Sequence, residues 1–131
     1  MSTLHTNVLV VDDYPTMRSI VRSLLQEIGI INIAEAGDGG TALGKLQGDG
    51  FGLVISDWNM EPMSGLQLLK EVRADNRLAR LPFIMMTGET KAENVVAAKE
   101  AGFSSYIVKP FNVTTLRQKI EAVIGALGER G

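Results

Sequence analysis

The chain contains no cysteine and a single histidine, His5. Without thiols there is neither a disulfide nor a thiolate zinc site. His5 lies in a polar N-terminal stretch, where no neighbour makes it a metal ligand or a phosphate donor. Long apolar runs are also missing. The longest, "VLVV" and "FIMM", fall far short of the roughly 20 residues that a membrane span requires. The opening "MSTLHTN" lacks the basic and apolar regions of a signal peptide. Neither sign of charge dominates. Thirteen Lys and Arg oppose fifteen Asp and Glu, for a net charge of -2. That balance offers nucleic acid no basic field, and it is not the acidic tail of a disordered activator. Repeats, low-complexity segments and linkers are absent as well. The expectation is one cytoplasmic, monomeric domain over residues 1–131, with its core at about 6–127 and no membrane insertion.

What is present is ordinary in amount and informative in order. Hydrophobic residues are 45% of the chain and charged residues 21%, enough for a real core. Short β-rich runs alternate with longer helical patterns. "NVLVV" reads as a buried strand. "PTMRSIVRSLLQEIG" follows, with Met17, Ile20, Val21, Leu24, Leu25 and Ile28 on one helix face, Pro15 suited to the first turn and Gly29 to the end. "INIAEA", "FGLVIS", "LPFIMMT" and "SSYIVK" are the further strands. Between them lie "GDGGTALGKLQ", "SGLQLLKEVRAD" (Leu66, Leu69 and Val72 inward) and "KAENVVAAKEAG". The closing helix "NVTTLRQKIEAVIGAL" carries Val113, Leu116, Ile120, Val123, Ile124 and Leu127 on one stripe, with Asn112 or Thr114 as its cap. Five strand–helix pairs in strict alternation predict a parallel sheet with helices on both faces.

In such a sheet, ligands bind beyond the carboxyl ends of the strands. Strand one ends in Asp12 and Asp13, strand three in Asp57, strand four in Thr87 and strand five in Lys109. Strand two ends in Ala36 and Gly37, which offer little. Three acids and one lysine leave a local charge of -2, which raises carboxylate pKa values unless a cation cancels it. Oxygen-only ligands favour a hard ion such as magnesium. An acid beside that ion can serve as a nucleophile toward a phosphoryl group, with a lysine and a hydroxyl taking up its oxygens.

The stretches "VLVVDDYPTMR", "EAGDGGTAL", "FGLVISDWNM", "PFIMMTGE" and "YIVKPF" together resemble the receiver domains of two-component signalling, and the single-domain chemotaxis regulators above all. The resemblance runs from about Asn7 to Leu127. It implies a flavodoxin-like, doubly wound (βα)5 fold with strand order 2-1-3-4-5. Asp57 becomes the phosphoacceptor, with a histidine kinase as donor. Asp13 binds magnesium directly, Asp12 largely through water, and Asn59 through its backbone carbonyl. Lys109 and Thr87 contact the phosphoryl group. Thr87 and Tyr106 form the switch, and Asn59 and Glu89 tune dephosphorylation. A cis peptide is implied before Pro110. The target surface lies on the fourth helix, fifth strand and fifth helix, where Lys91, Val95, Lys99, Tyr106 and Lys119 are the candidates. The target is a protein such as a flagellar motor switch component. Catalysis is limited to the chain's own phosphorylation and dephosphorylation, so the protein is not a turnover enzyme.

Blander readings stand beside these. Asp12 and Asp13 also suit a helix N-terminus. Thr87 fits a turn, Lys109 a solvated lysine, and Tyr106 a half-buried core aromatic. A phosphate sink that drains a kinase without binding a motor uses the same site residues. A flavodoxin-like cofactor carrier shares the fold order, but "DDYPTM" replaces its hydroxyl-rich phosphate loop. A haloacid-dehalogenase-type phosphatase needs an acid where Asn59 stands. The chain also departs from the receiver pattern: Glu61 occupies a position where many receivers place proline, and Pro62 follows it.

Overall fold

The computed structural model describes residues 5–48, 50–88, 96 and 99–125. Five parallel strands form one sheet in the order β2-β1-β3-β4-β5. They are β1 (Val8–Val11), β2 (Ile33–Ala36), β3 (Leu53–Asp57), β4 (Phe83–Thr87) and β5 (Ser105–Val108). The helices are α1 (Pro15–Ile28), α2 (Gly39–Gly48) and α3 (Gly65–Ala74), then α4, described at residues 96 and 99–101, and α5 (Val113–Ile124). The expected architecture and strand order are those observed.

Two cores result from the two-residue period of the strands. Val8, Val10, Ile55, Ile84, Met86 and Ile107 face α1 and α5. Leu9, Val11, Val54, Phe83 and Met85 face the other way, against α2 and α3. β1, β3 and β4 are buried on both faces, which is why they read as continuous apolar runs.

Helix boundaries follow local chemistry. Pro15 opens α1, and Gly29 closes it in the left-handed region at φ 112°. Ser64 and Gln67 form a reciprocal capping box at the start of α3. Of the two cap candidates for α5, Asn112 is the one that accepts from the Thr115 N–H, at 2.9 Å. Two inward assignments change. On α3 the buried positions are Gly65, Leu68, Leu69 and Val72, so Leu68 replaces Leu66 in the core. The reason is spacing: 65, 68, 69 and 72 follow the i, i+3, i+4, i+7 stripe more closely than 66 does. On α1, Ile20 is 47% exposed and lies beside the stripe that Val21, Leu25 and Ile28 bury.

The approach of α3 to β3 is unusually close. The Gly65 N–H donates to the Trp58 carbonyl at 2.9 Å. A Cβ at Gly65 would collide with the backbone carbonyl oxygen of Asp57 and stand 3.0 Å from Met85 Sδ. Gly44, in the middle of α2, has open space around it. Gly65→Ala is therefore expected to cost about 2–3 kcal/mol by overpacking, whereas Gly44→Ala stabilises by about 0.5–1 kcal/mol through helix propensity. Urea unfolding of the two variants checks both signs, and equal effects would contradict the close approach.

Candidate functional site

The register of the sheet assembles the site. Val11 lies beside Ser56, which puts Asp12 next to Asp57. Asp57 lies beside Met86, one residue before Thr87, and Thr87 lies beside Val108, one residue before Lys109. Each polar residue thus stands at or just past the end of its strand. All four reach one rim because parallel strands end on the same side.

At that rim Lys109 Nζ donates to Asp57 Oδ1 at 2.7 Å and lies 3.7 Å from Asp12 Oδ2. Carboxylate oxygens of Asp12, Asp13 and Asp57 fall within 4.8 Å of one another, a grouping that can hold a metal ion. Thr87 is fully buried, and its carbonyl accepts from the Lys109 N–H at 2.8 Å. Asp12 is 1% exposed. Its Oδ1 accepts from the Tyr14 N–H at 2.9 Å, while Oδ2 is buried without a hydrogen-bond donor. Burial pushes the Asp12 carboxyl above the ordinary aspartate range. The Asp57 and Asp13 charges add to that, against the Tyr14 N–H and Lys109.

Asp13 and Asn59 are exposed on the two loops that border the cluster. Tyr106 stands apart from the acids, on the middle of β5. Its ring lies 5.7 Å from that of Phe103, and Lys119 Nζ sits 5.3 Å from its centroid. A groove of about 490 Å³ adjoins it, lined by residues that include Tyr106, Pro110, Phe111, Thr115 and Lys119. Lys99 is exposed on α4. On the same helix, Val96 is 53% exposed. Glu89, Lys91 and Val95 lie outside the described residues. The Lys109–Pro110 peptide is cis, as expected, and so is Glu61–Pro62.

Sequence reasoning missed a second layer. Arg18 Nη1 donates to the Asp12 carbonyl at 2.6 Å, and Arg18 Nε donates to Glu35 at 3.1 Å. Arg22 Nε donates to the other Glu35 oxygen at 2.7 Å and Arg22 Nη2 to the Ile33 carbonyl at 3.1 Å. The one-turn spacing of Arg18 and Arg22 was visible, but their partner on β2 was not.

The raised Asp12 pKa has a definite sign for stability. The folded chain holds this proton more tightly than the unfolded chain, so the metal-free protein loses stability as pH rises from near 3.8 through the folded value. Asp12→Asn keeps an acceptor for the Tyr14 N–H and removes the buried charge. In EDTA at pH 7 the variant should melt about 3 °C higher than the parent. The gap should close as pH falls toward 4. Calorimetry measures both, and a lower melting point in the variant would contradict the charge argument.

With this geometry in place, comparison with known proteins is direct. Residues 8–121 match the response regulator receiver domain family. The chemotaxis protein CheY of Pseudomonas aeruginosa is 47% identical over 116 residues, covering 88% of this chain and 94% of that protein. The chemotaxis protein CheY-3 of Vibrio cholerae is 47% identical over 120 residues and 92% of each chain. Among solved structures, CheY4 of Vibrio cholerae superposes with a TM-score of 0.86 at 37% identity, covering 92% of this chain and 99% of the other. By its family match, its CheY relatives and the acidic rim just described, the chain belongs to the response regulator receiver domains of two-component systems.

Proposed function

We propose that this protein is a phosphorylation-switched chemotaxis regulator in which Asp57 accepts a phosphoryl group from a histidine kinase. The observation that carries the reading is the 2.7 Å contact of Lys109 Nζ with Asp57 Oδ1, beside the clustered carboxylates of Asp12 and Asp13. Lys109 holds the acceptor carboxylate in place and supplies positive charge for the oxygens of the incoming group. The Thr87 side chain, at the end of the adjacent strand, donates its hydroxyl to another of those oxygens. The donor's bond to phosphorus breaks as the bond from the Asp57 carboxylate forms, and the electron pair leaves with the donor.

The donor set fits magnesium. It consists of oxygens alone, and the orphaned, buried Asp12 Oδ2 is the kind of atom that a hydrated cation satisfies. Asp13, Asp57 and the Asn59 carbonyl would hold the ion directly and Asp12 largely through water; bound there, it cancels charge on the phosphoryl oxygens. The same fit predicts weaker binding in acid, because a proton competes for the raised Asp12 carboxyl.

Phosphorylation is read out on the surface of α4, β5 and α5, with Thr87 and Tyr106 as the switch. The Tyr106–Lys119 contact and the groove beside it support that placement. A flagellar motor switch protein is the target class that the CheY relatives suggest. Catalysis is confined to the chain's own phosphorylation and dephosphorylation, with Asn59 and Glu89 tuning the latter. No helix among the described residues is long and apolar enough to cross a membrane, in keeping with a cytoplasmic site of action.

Trp58 adjoins Asp57 and is half-buried, so it reports on the site. Its fluorescence is expected to change on adding magnesium and again on adding a small phosphodonor. In Asp57→Asn the second change should vanish. A donor-dependent change that survives in this variant would remove Asp57 from its proposed role.

A further inference from the structure

Glu61 has no part in the reaction as described, and the structure places it where it can matter. A cleft of about 420 Å³ opens between the β1–α1 turn and the β3–α3 loop, lined by Asp13, Trp58, Asn59, Met60, Glu61 and Ser64. It shares Asp13 with the carboxylate cluster, and Trp58, the residue after Asp57, forms part of its wall. Its volume suits a small ring or amine. Among the described residues, its lining holds two acids and no cation. Among the described residues, none of the ion pairs reaches Glu61, which is exposed. The charge of Asp13 belongs to the metal cluster. That of Glu61 has no such counterpart and persists when a cation is bound.

We infer that this cleft receives the leaving group of the phosphodonor, and that Glu61 selects donors with a cationic leaving group over acyl phosphates. The inference rests on the phosphoacceptor reading and concerns the donor side of the same site. In an N-phosphorylated imidazole or amine, the nitrogen side carries a positive charge when protonated. The P–N bond breaks, its electron pair goes to nitrogen, and a neutral imidazole or amine departs while the Asp57 oxygen bonds to phosphorus. Part of the positive charge remains in the transition state, where Glu61 attracts it and the aromatic surface of Trp58 adds to the attraction. In an acyl phosphate, the O–P bond breaks and a carboxylate departs. Negative charge then grows beside Glu61, which repels it. One carboxylate thus acts on the two donor classes with opposite sign.

The test compares kcat/KM for phosphorylation by phosphoramidate or N-phosphoimidazole with that by acetyl phosphate, followed through Trp58 fluorescence at saturating magnesium. The proteins are the parent, Glu61→Gln, Glu61→Lys and Glu71→Gln. Glu71 is exposed on α3 outside the cleft and controls for net charge. Glu61→Gln should slow the nitrogen donors about threefold and speed acetyl phosphate about threefold, shifting their ratio by about tenfold. Glu61→Lys should shift it further, Glu71→Gln by less than about twofold, and added salt should shrink every difference. A uniform change with both donors, as from a distorted loop or altered metal binding, would overturn the inference, as would an unchanged ratio. A parent protein that responds to neither donor would overturn the phosphoacceptor reading itself, and this inference with it.

Discussion

The organising constraint is the crowding of like charge at one rim of a parallel sheet. Asp12, Asp13 and Asp57 meet within 4.8 Å, and Asp12 is all but excluded from water. A buried carboxylate without full compensation costs several kcal/mol. Lys109 answers part of the cost by lying between Asp57 and Asp12, at 2.7 and 3.7 Å. It can do so because β5 pairs with β4 in a register that ends at Thr87 and Val108, leaving Lys109 just past the edge. The remaining imbalance leaves a grouping that can hold a metal ion.

A site that repels itself needs a rigid frame, and α1 provides one. The Arg18 guanidinium joins the Asp12 carbonyl to Glu35, while Arg22 joins Glu35 to the Ile33 carbonyl. The first helix is thereby fastened to the edge strand β2 and to the backbone that carries the acids. Arg22 foremost, and Arg18 after it, holds the Glu35 carboxyl below the ordinary range despite burial. Its linkage to pH is therefore opposite in sign to that of Asp12: the stability from Glu35 is present at neutral pH and fades as acid protonates it. The frame is firmest under the conditions in which the acids repel each other most.

What was legible in the sequence was whatever depends on chain order and strand period. Asp12, Asp57, Thr87 and Lys109 stood at the ends of apolar runs, and parallel strands must end together, so the rim could be drawn without coordinates. The two cores were legible for the same reason. What escaped depended on rotation about a helix axis or on partners distant in sequence. Leu66 and Leu68 both lie within a turn of Leu69, and the stripe that favours Leu68 includes Gly65, whose place in the core shows only once it is seen against β3. Ile20 belongs to an apolar stripe too wide for the sheet to cover. Glu35 sits on a strand whose alternation says only that it faces away from the neighbouring alanines. Its pairing with two arginines belongs to the tertiary structure. Strand two seemed to offer the rim little, yet Glu35 anchors the arginine that braces Asp12.

In the proposed mechanism, a short path, an ion pair followed by three residues of chain, joins the acceptor to the outer surface. Lys109 is three residues from Tyr106 on a four-residue strand, and its N–H is bonded to the Thr87 carbonyl at the end of β4. Tyr106 is registered beside Met85, packs on Phe103 and lies under Lys119 of α5. A phosphoryl group that draws on Lys109 and Thr87 therefore acts on the ends of β4 and β5, and Tyr106 lies on the second of these. The far side of the site is different. The β3–α3 loop starts with the Trp58 N–H on the Met86 carbonyl of β4 and closes with the Gly65 N–H on the Trp58 carbonyl, so its first residue is tied both to a central strand and to the start of α3. In that mechanism output and input would occupy separate elements: β5 and α5 would carry the charge change outward, while the loop bearing Asn59 and Glu61 would shape what reaches Asp57. Glu61 belongs to that loop, and the Lys109–Asp57 contact does not involve it.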